Sequence, residues 1–159
     1  MIEVAILTVS DSAAEGKRQD VSGPALVKEC EELGWKIAAR EIVPDDPRQI
    51  SQQIATWADE ATANLILTTG GTGISARDHT PEATRAILER ELPGLGELMR
   101  MNGCEQTPTA MLSRAVAGTR KRALIVNLPG SPRGAVYSLE VVSKLIPHAL
   151  ELLRGNTEH

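Results

Sequence analysis

Residues 64 to 84 read N-L-I-L-T-T-G-G-T-G-I-S-A-R-D-H-T-P-E-A-T, an uninterrupted apolar run that passes into a glycine turn, a carboxylate and the start of a helix. Leu65, Ile66 and Leu67 show none of the polar alternation of a half-exposed strand, so both faces of this strand have to be covered, as in a parallel sheet between helical layers. Gly70, Gly71 and Gly73 follow at once and let the backbone turn sharply, so that amide N–H groups approach a ligand with no side chain in the way. Thr68, Thr69 and Thr72 add hydroxyls. The order suits a polyanion site. A bare G-G-x-G is equally well a tight strand-to-helix turn, and Asp78, between turn and helix, weighs toward the site.

Two phosphate motifs do not fit this segment. A P-loop requires a lysine for the outer phosphates, and none occurs here. Gly71, Gly73 and Ala76 match G-x-G-x-x-A by spacing, but a dinucleotide turn opens straight into a helix. Here Thr80-Pro81 predicts a later start, with Thr80 as N-cap and Pro81 at the first helical position.

Strand-like and helix-like patterns alternate along the chain, which predicts an α/β fold, a three-layer α/β/α arrangement around a mostly parallel central sheet. A first strand ends near Val9, and a polar loop from Ser10 to Ser22 leads to a helix at Gly23-Pro24 with Leu26, Val27, Cys30 and Leu33 on one stripe, stopped by Gly34. Lys36 to Val43 reads as a strand. Asp46 then caps a helix from Pro47 whose inward face is Ile50, Ile54, Trp57, Ala58 and Ala61. A broken helical segment is expected from Pro93 to Met101. Two strands joined by a basic turn around Gly118 to Arg122 follow, and then a helix from Arg133 to Arg154, broken or kinked at Pro147 and stopped at Gly155. Without repeats or linkers, residues 1–159 are expected to form one domain.

Composition narrows the function. Hydrophobic residues at 42% and charged residues at 24% exclude disordered and fibrous classes. Phenylalanine is absent and the net charge is −4, so neither base-stacking platforms nor a global field favours nucleic acid. Cys30 and Cys104 lack metal-site spacing and suggest reduced thiols. The chain opens on a strand-like run with no signal peptide and no membrane-spanning stretch, so a soluble cytoplasmic protein without membrane partners is expected.

Ligands of open α/β sheets lie beyond the carboxyl ends of the strands. Four loops occupy such positions: Ser10-Asp11-Ser12, Pro44-Asp45-Asp46, Gly70 to Asp78, and Asn127 to Pro132. Taken singly, Asp45 or Asp46 reads as an N-cap and Ser10-Asp11 as a turn. Together they supply amides for phosphate, carboxylates for a cation and hydroxyls for polar edges.

These loops carry a resemblance. L-T-V-S-D-S at Leu7 to Ser12, S-G-P at Ser22 to Pro24, V-P-D-D at Val43 to Asp46 and T-T-G-G-T-G-x-x-x-R-D-x-T-P-E-A-T at Thr68 to Thr84 appear in order. They are followed by L-P-G-L at Leu92 to Leu95, M-L-S-R at Met111 to Arg114 and N-L-P-G-S-P at Asn127 to Pro132. From nearly end to end the chain resembles the MoaB/Mog family, the molybdopterin-binding fold that includes the molybdopterin adenylyltransferases.

The resemblance implies transfer of AMP from ATP to the terminal phosphate of molybdopterin, with pyrophosphate released. It implies Asp45, Asp78 and Ser113 as catalytic positions and the two aspartates as ligands of Mg2+, a cation that takes one or two carboxylates beside phosphate oxygens. Gly70, Gly71, Thr72 and Gly73 would hold ATP phosphates, with Pro129 and Gly130 bordering the nucleotide. Ser10 and Asp11 would meet the pterin. Arg114 would supply a cation there, its bland reading being a surface salt bridge. Arg77 either pairs with Asp78 or contacts phosphate. A homo-oligomer, trimer or hexamer, and a molybdenum-insertion protein are the implied partners. A non-catalytic molybdopterin-binding or assembly protein remains an alternative, as does a generic nucleotide-binding regulatory module. His79, His148 and His159 read as incidental, Trp35 and Trp57 as packing, and Lys121-Arg122 as a solvated loop. Ser131 departs from the amide residue of many relatives.

Overall fold

The strands with no polar face become the centre of the sheet. Glu3–Val9 (β1), Leu65–Thr69 (β3) and Ala123–Leu128 (β6) are buried along almost their whole length in the computed structural model, which describes residues 1–157. His159 lies outside them. Lys36–Val43 (β2) flanks β1, and Ala117–Arg120 (β5) and Arg90–Glu91 (β4) continue the sheet beyond β6, giving the order β2-β1-β3-β6-β5-β4. The first four strands of that order are parallel; β5 runs antiparallel to β6, and β4 antiparallel to β5. Register aligns Val9 with Val43, Thr8 with Thr69 and Thr69 with Leu128, so the four parallel strands end in one row.

Helices cover both faces. Val4, Ile6, Leu65, Leu67, Leu124 and Val126 face one core, closed by Ser22–Glu32 (α2), Pro93–Gly103 (α5), Pro132–Ser143 (α6) and Ile146–Leu153 (α7) through residues such as Leu26, Met99, Leu139 and Ile146. Ala5, Leu7, Ile66 and Ile125 face the other, closed by Pro47–Asp59 (α3) and Thr80–Arg85 (α4) through Ile50, Ile54, Trp57 and Ala83. Each fully buried Leu or Ile contributes on the order of 1.5–3 kcal/mol, and the period-two split of every central strand makes a one-residue slip prohibitive. Cys30 lies in the first core, where burial pushes its thiol up to about 12. It is inert packing.

Several elements differ from expectation. The polar loop after β1 contains a short helix, Asp11–Ala14 (α1), capped by Ser10, whose side chain accepts the Ala13 N–H. Thr80 is not a cap: it is the first residue of α4, and its hydroxyl is drawn off by Gly70 O at 2.8 Å. Ala61 lies past the end of α3 in a left-handed turn (φ 55°), and Ala63 supplies the buried contact instead. Helix α5 is unbroken through Gly103. Gly118 belongs to β5, so the basic turn shrinks to Lys121-Arg122. The break in the last helix precedes Pro147, which sits in the first turn of α7, where its missing N–H costs nothing. Strand β4 and a 3-10 turn at Pro108–Leu112 have no clear periodicity in the sequence.

Candidate active site

The row of strand ends sets four loops side by side: those after β1 (from Ser10), β2 (from Pro44), β3 (from Gly70) and β6 (from Pro129). The glycine turn is the most constrained of them. Gly70 (φ +104°) and Gly71 (φ +69°) are left-handed, and a Cβ at either would stand 2.3 Å from Val9 O or from Thr80 Oγ1. Only glycine lets β1, β3 and α4 meet there.

The carbonyls of this turn are all committed to the protein. Gly70 O accepts the Thr80 hydroxyl at 2.8 Å and Gly71 O the Thr80 N–H at 3.1 Å. Thr72 O accepts the Arg114 N–H at 2.8 Å and Gly73 O accepts Arg114 Nε at 2.8 Å. The N–H groups are treated differently. Gly70 N–H donates to Leu128 O at 3.2 Å, whereas those of Gly71, Thr72 and Gly73 have no acceptor among the described residues. With its acceptors consumed, the turn offers a ligand donors only, the condition for an anion site. The neighbouring β6 loop is tied to it, Thr69 Oγ1 donating to Pro129 O at 2.7 Å.

Two aspartates lean toward this turn. Asp45 and Asp11 exchange hydrogen bonds, Asp45 N–H to Asp11 Oδ1 at 3.0 Å and Asp11 N–H to Asp45 Oδ2 at 3.2 Å. Asp45 Oδ1 accepts no hydrogen bond among the described residues and would be 3.0 Å from a Cβ on Gly71. Asp78 Oδ2 accepts the Ser75 N–H at 2.9 Å and would be 2.8 Å from a Cβ on Gly73, leaving Oδ1 without a donor among the described residues. Burial, together with the charges of Asp11 and Asp78, raises the Asp45 carboxyl above its ordinary value even though the Asp11 N–H opposes the shift. An ionised Asp45 beside a second carboxylate is an arrangement a cation relieves.

The expected site residues divide among neighbouring hollows. Ser10, Asp45, Gly70, Gly71, Asp78 and Gly130 line a cleft of about 260 Å³, closed on its other side by Asp20 and Ser22. Thr72, Gly73, Ser113 and Pro129 line a larger one of about 530 Å³ with Ile74, Met99 and Tyr137. The glycine turn and the β6 loop border both. Ser113 Oγ accepts the Ala115 N–H at 3.3 Å. Asp11 and Arg114 are engaged internally. Arg77 grips Asp11, Nε to Oδ2 at 3.0 Å and Nη2 to Oδ1 at 2.9 Å, and the guanidinium holds Asp11 below the usual carboxylate range. Arg77 therefore pairs with Asp11, not with Asp78. Arg114 lines a separate hollow of about 320 Å³ that Ser113 also borders.

Sequence reasoning missed Asp20. Its carboxylate, 4% exposed, accepts Thr8 Oγ1 and Arg40 Nη2 at 2.9 Å and the Gly23 N–H at 3.0 Å, joining β1, β2 and the start of α2 behind the cleft. The signal was an aspartate three residues before Gly23, the spacing of a capping side chain. Among the described residues no cluster of three or more His, Cys, Asp or Glu forms a metal cage, and no helix is long and apolar enough to cross a membrane. Magnesium does not need such a cage when phosphates complete its shell, and a pair of partly unsatisfied carboxylates fits that mode.

Residues 5–148 match the family model described as Probable molybdopterin binding domain. The chain is 42% identical over 157 residues to a molybdopterin adenylyltransferase of Helicobacter pylori, covering 98% of this chain and 89% of the relative. It is 37% identical over 174 residues to the molybdopterin adenylyltransferase of Escherichia coli K12, covering 97% and 86%. The crystal structure of the molybdopterin biosynthesis enzyme MoaB of Thermus thermophilus superposes with a TM-score of 0.92 at 53% identity, covering 98% of each chain.

Proposed function

The chain belongs to the molybdopterin-binding domain family, and from that premise we propose that it is a molybdopterin adenylyltransferase of molybdenum cofactor biosynthesis. The observation that carries the reading beyond kinship is the donor-only glycine turn with two partly unsatisfied carboxylates beside it.

In the reaction, an oxygen of molybdopterin's terminal phosphate attacks the α-phosphorus of ATP. The new P–O bond forms as the α–β bridging bond breaks, and pyrophosphate leaves with the electron pair. The nucleophile needs no general base, since the second pKa of a phosphate monoester is about 6. The barrier is mutual repulsion and alignment of two phosphate groups. The amides of Gly71, Thr72 and Gly73 bind ATP phosphate oxygens as a preorganised donor set, with Gly70 shaping the turn and Pro129 and Gly130 fixing its neighbour. Asp45 and Asp78 hold Mg2+, which when bound neutralises charge on the phosphates. Ser113 orients a phosphate or water from the larger hollow, and Ser10 and Asp11 stand at the pterin side. The 260 and 530 Å³ hollows on either side of the glycine turn give two substrates a shared border.

The same proposal treats residues 1–159 as one domain of a cytoplasmic homo-oligomer, trimer or hexamer, that hands its product to a molybdenum-insertion protein. Mass spectrometry of the products after mixing protein, Mg2+, ATP and molybdopterin tests it. Adenylylated molybdopterin with pyrophosphate is expected; binding of molybdopterin without product would favour a carrier or assembly role.

A further inference from the structure

Arg114 carries a positive charge beside a turn read as a phosphate site, yet its hydrogen bonds run to protein acceptors. Its Nε donates to Gly73 O at 2.8 Å, Nη2 to Asp78 O at 3.0 Å, and Nη1 pairs with Glu82. Its own N–H donates to Thr72 O at 2.8 Å. One half-buried residue thus joins the glycine turn, the aspartate before α4 and the first turn of α4. We propose that Arg114 is a positioning residue that acts with Glu82 to hold the Gly70–Asp78 loop in its donor-only form, without touching the nucleotide.

The inference rests on the phosphate-site reading and deepens it. If the 72–73 and 73–74 peptide units turned over, Thr72 O and Gly73 O would confront the phosphates where the Gly73 and Ile74 amides now stand. Arg114 opposes that from two directions: its main chain holds Thr72 O and so aims the Gly73 N–H, and its side chain holds Gly73 O and so aims the Ile74 N–H, which also has no acceptor among the described residues. The planar guanidinium is suited to the task because three acceptors at fixed angles meet its fork, a geometry an ammonium does not reproduce. Glu82 anchors the far end of the fork, and the pairing holds the Glu82 carboxyl below its usual range. The expectation that Arg114 meets the substrate directly thereby gives way to an indirect role.

The two roles predict opposite signs for one substitution. If Arg114 touched the anion, Glu82→Gln would remove a competing carboxylate and tighten binding. If it positions the loop, Glu82→Gln loosens the fork and weakens binding. Calorimetric titration of wild type, Arg114→Lys and Glu82→Gln with inorganic pyrophosphate and with metal-free ATP decides between them. Thermal unfolding checks folding, and amide NMR shifts of Gly71, Thr72, Gly73 and Ile74 are recorded without ligand. Arg114→Lys, which keeps the charge, is expected to lose about tenfold or more in affinity and Glu82→Gln about threefold, with the ligand-free amide shifts displaced in both. Arg114→Lys binding within about twofold of wild type, or tighter binding by Glu82→Gln, overturns the inference. Should Arg114→Lys fail to fold, the sign for Glu82→Gln, whose carboxylate is largely exposed, still decides. Wild-type protein that binds neither anion defeats the underlying phosphate-site reading, an outcome visible before any variant is compared.

Discussion

Asp20 and Asp45 line the same 260 Å³ cleft and have opposite surroundings. Burial works against ionisation of Asp20, but the Gly23 N–H, the Arg40 guanidinium and the Thr8 hydroxyl together outweigh it and hold the carboxyl below its ordinary value. At Asp45 burial prevails, reinforced by the charges of Asp11 and Asp78, and one oxygen has no donor among the described residues. The first corner is saturated and binds three elements together. The second is left short of partners, as the proposed cation role requires. A satisfied carboxylate builds the wall of a cleft; an unsatisfied one equips it.

Substitution at the under-partnered corner should break that contrast most visibly. Asp45→Asn and Asp78→Asn are each expected to slow AMP transfer by on the order of a hundred- to a thousand-fold, the scale of losing one electrostatic contact to a transition state. Steady-state product formation measures this; turnover near wild type would remove both residues from the metal role. Asp45→Asn should also raise the melting temperature at neutral pH, because the cost of burying a charge disappears while an amide oxygen still accepts the Asp11 N–H.

At the saturated corner the loss falls on stability. Asp20→Ala leaves Arg40, the Gly23 N–H and the Thr8 hydroxyl unpaired, and is expected to cost about 2–3 kcal/mol, or roughly 5–10 °C in melting temperature. A loss below about 1 kcal/mol would mean that water replaces the carboxylate freely.

Gly71→Ala compared with Gly16→Ala sharpens the claim of close approach, since both positions have positive φ but only Gly71 has atoms within 4 Å of the added carbon. Gly71→Ala should cost about 1 kcal/mol or more beyond its counterpart and weaken pyrophosphate binding. Equal losses would leave only backbone strain.

The smallest effect is in pH dependence. Since the folded-state pKa of Asp20 is depressed, its contribution is present above the unfolded carboxylate value of about 3.9 and is lost as pH falls through the lowered value. Asp45, raised, behaves oppositely: its contribution is complete below the unfolded value and lost as pH rises through the raised one. Thermal melts of metal-free Asp20→Asn and Asp45→Asn proteins from pH 3 to 7, read against wild type, should therefore diverge in opposite directions as pH rises, by about 1 kcal/mol or less for Asp45.

Much of the fold was legible because it depends on local pattern. The apolar runs of β1, β3 and β6, the Asp46-Pro47 start of α3 and the stop at Gly34 all take their form from near neighbours in the chain. What escaped was set by partners far away. Thr80 has the look of an N-cap, but Gly70 O lies within reach of its hydroxyl only after folding. Arg77 stands next to Asp78 and pairs with Asp11, 66 residues away.

By itself the sequence determined the parallel α/β architecture, the edge of the sheet where the loops gather, and the kinds of chemical group brought there, because periodicity and strand order follow from burial and handedness. Only the tertiary structure decided which groups remain available. Arg114 and Asp20 are bound up in the protein, while the amides of residues 71 to 73 and an oxygen each of Asp45 and Asp78 have no partner among the described residues. A hydrogen bond between distant residues depends on where two backbones come to lie, and residue type carries no record of that.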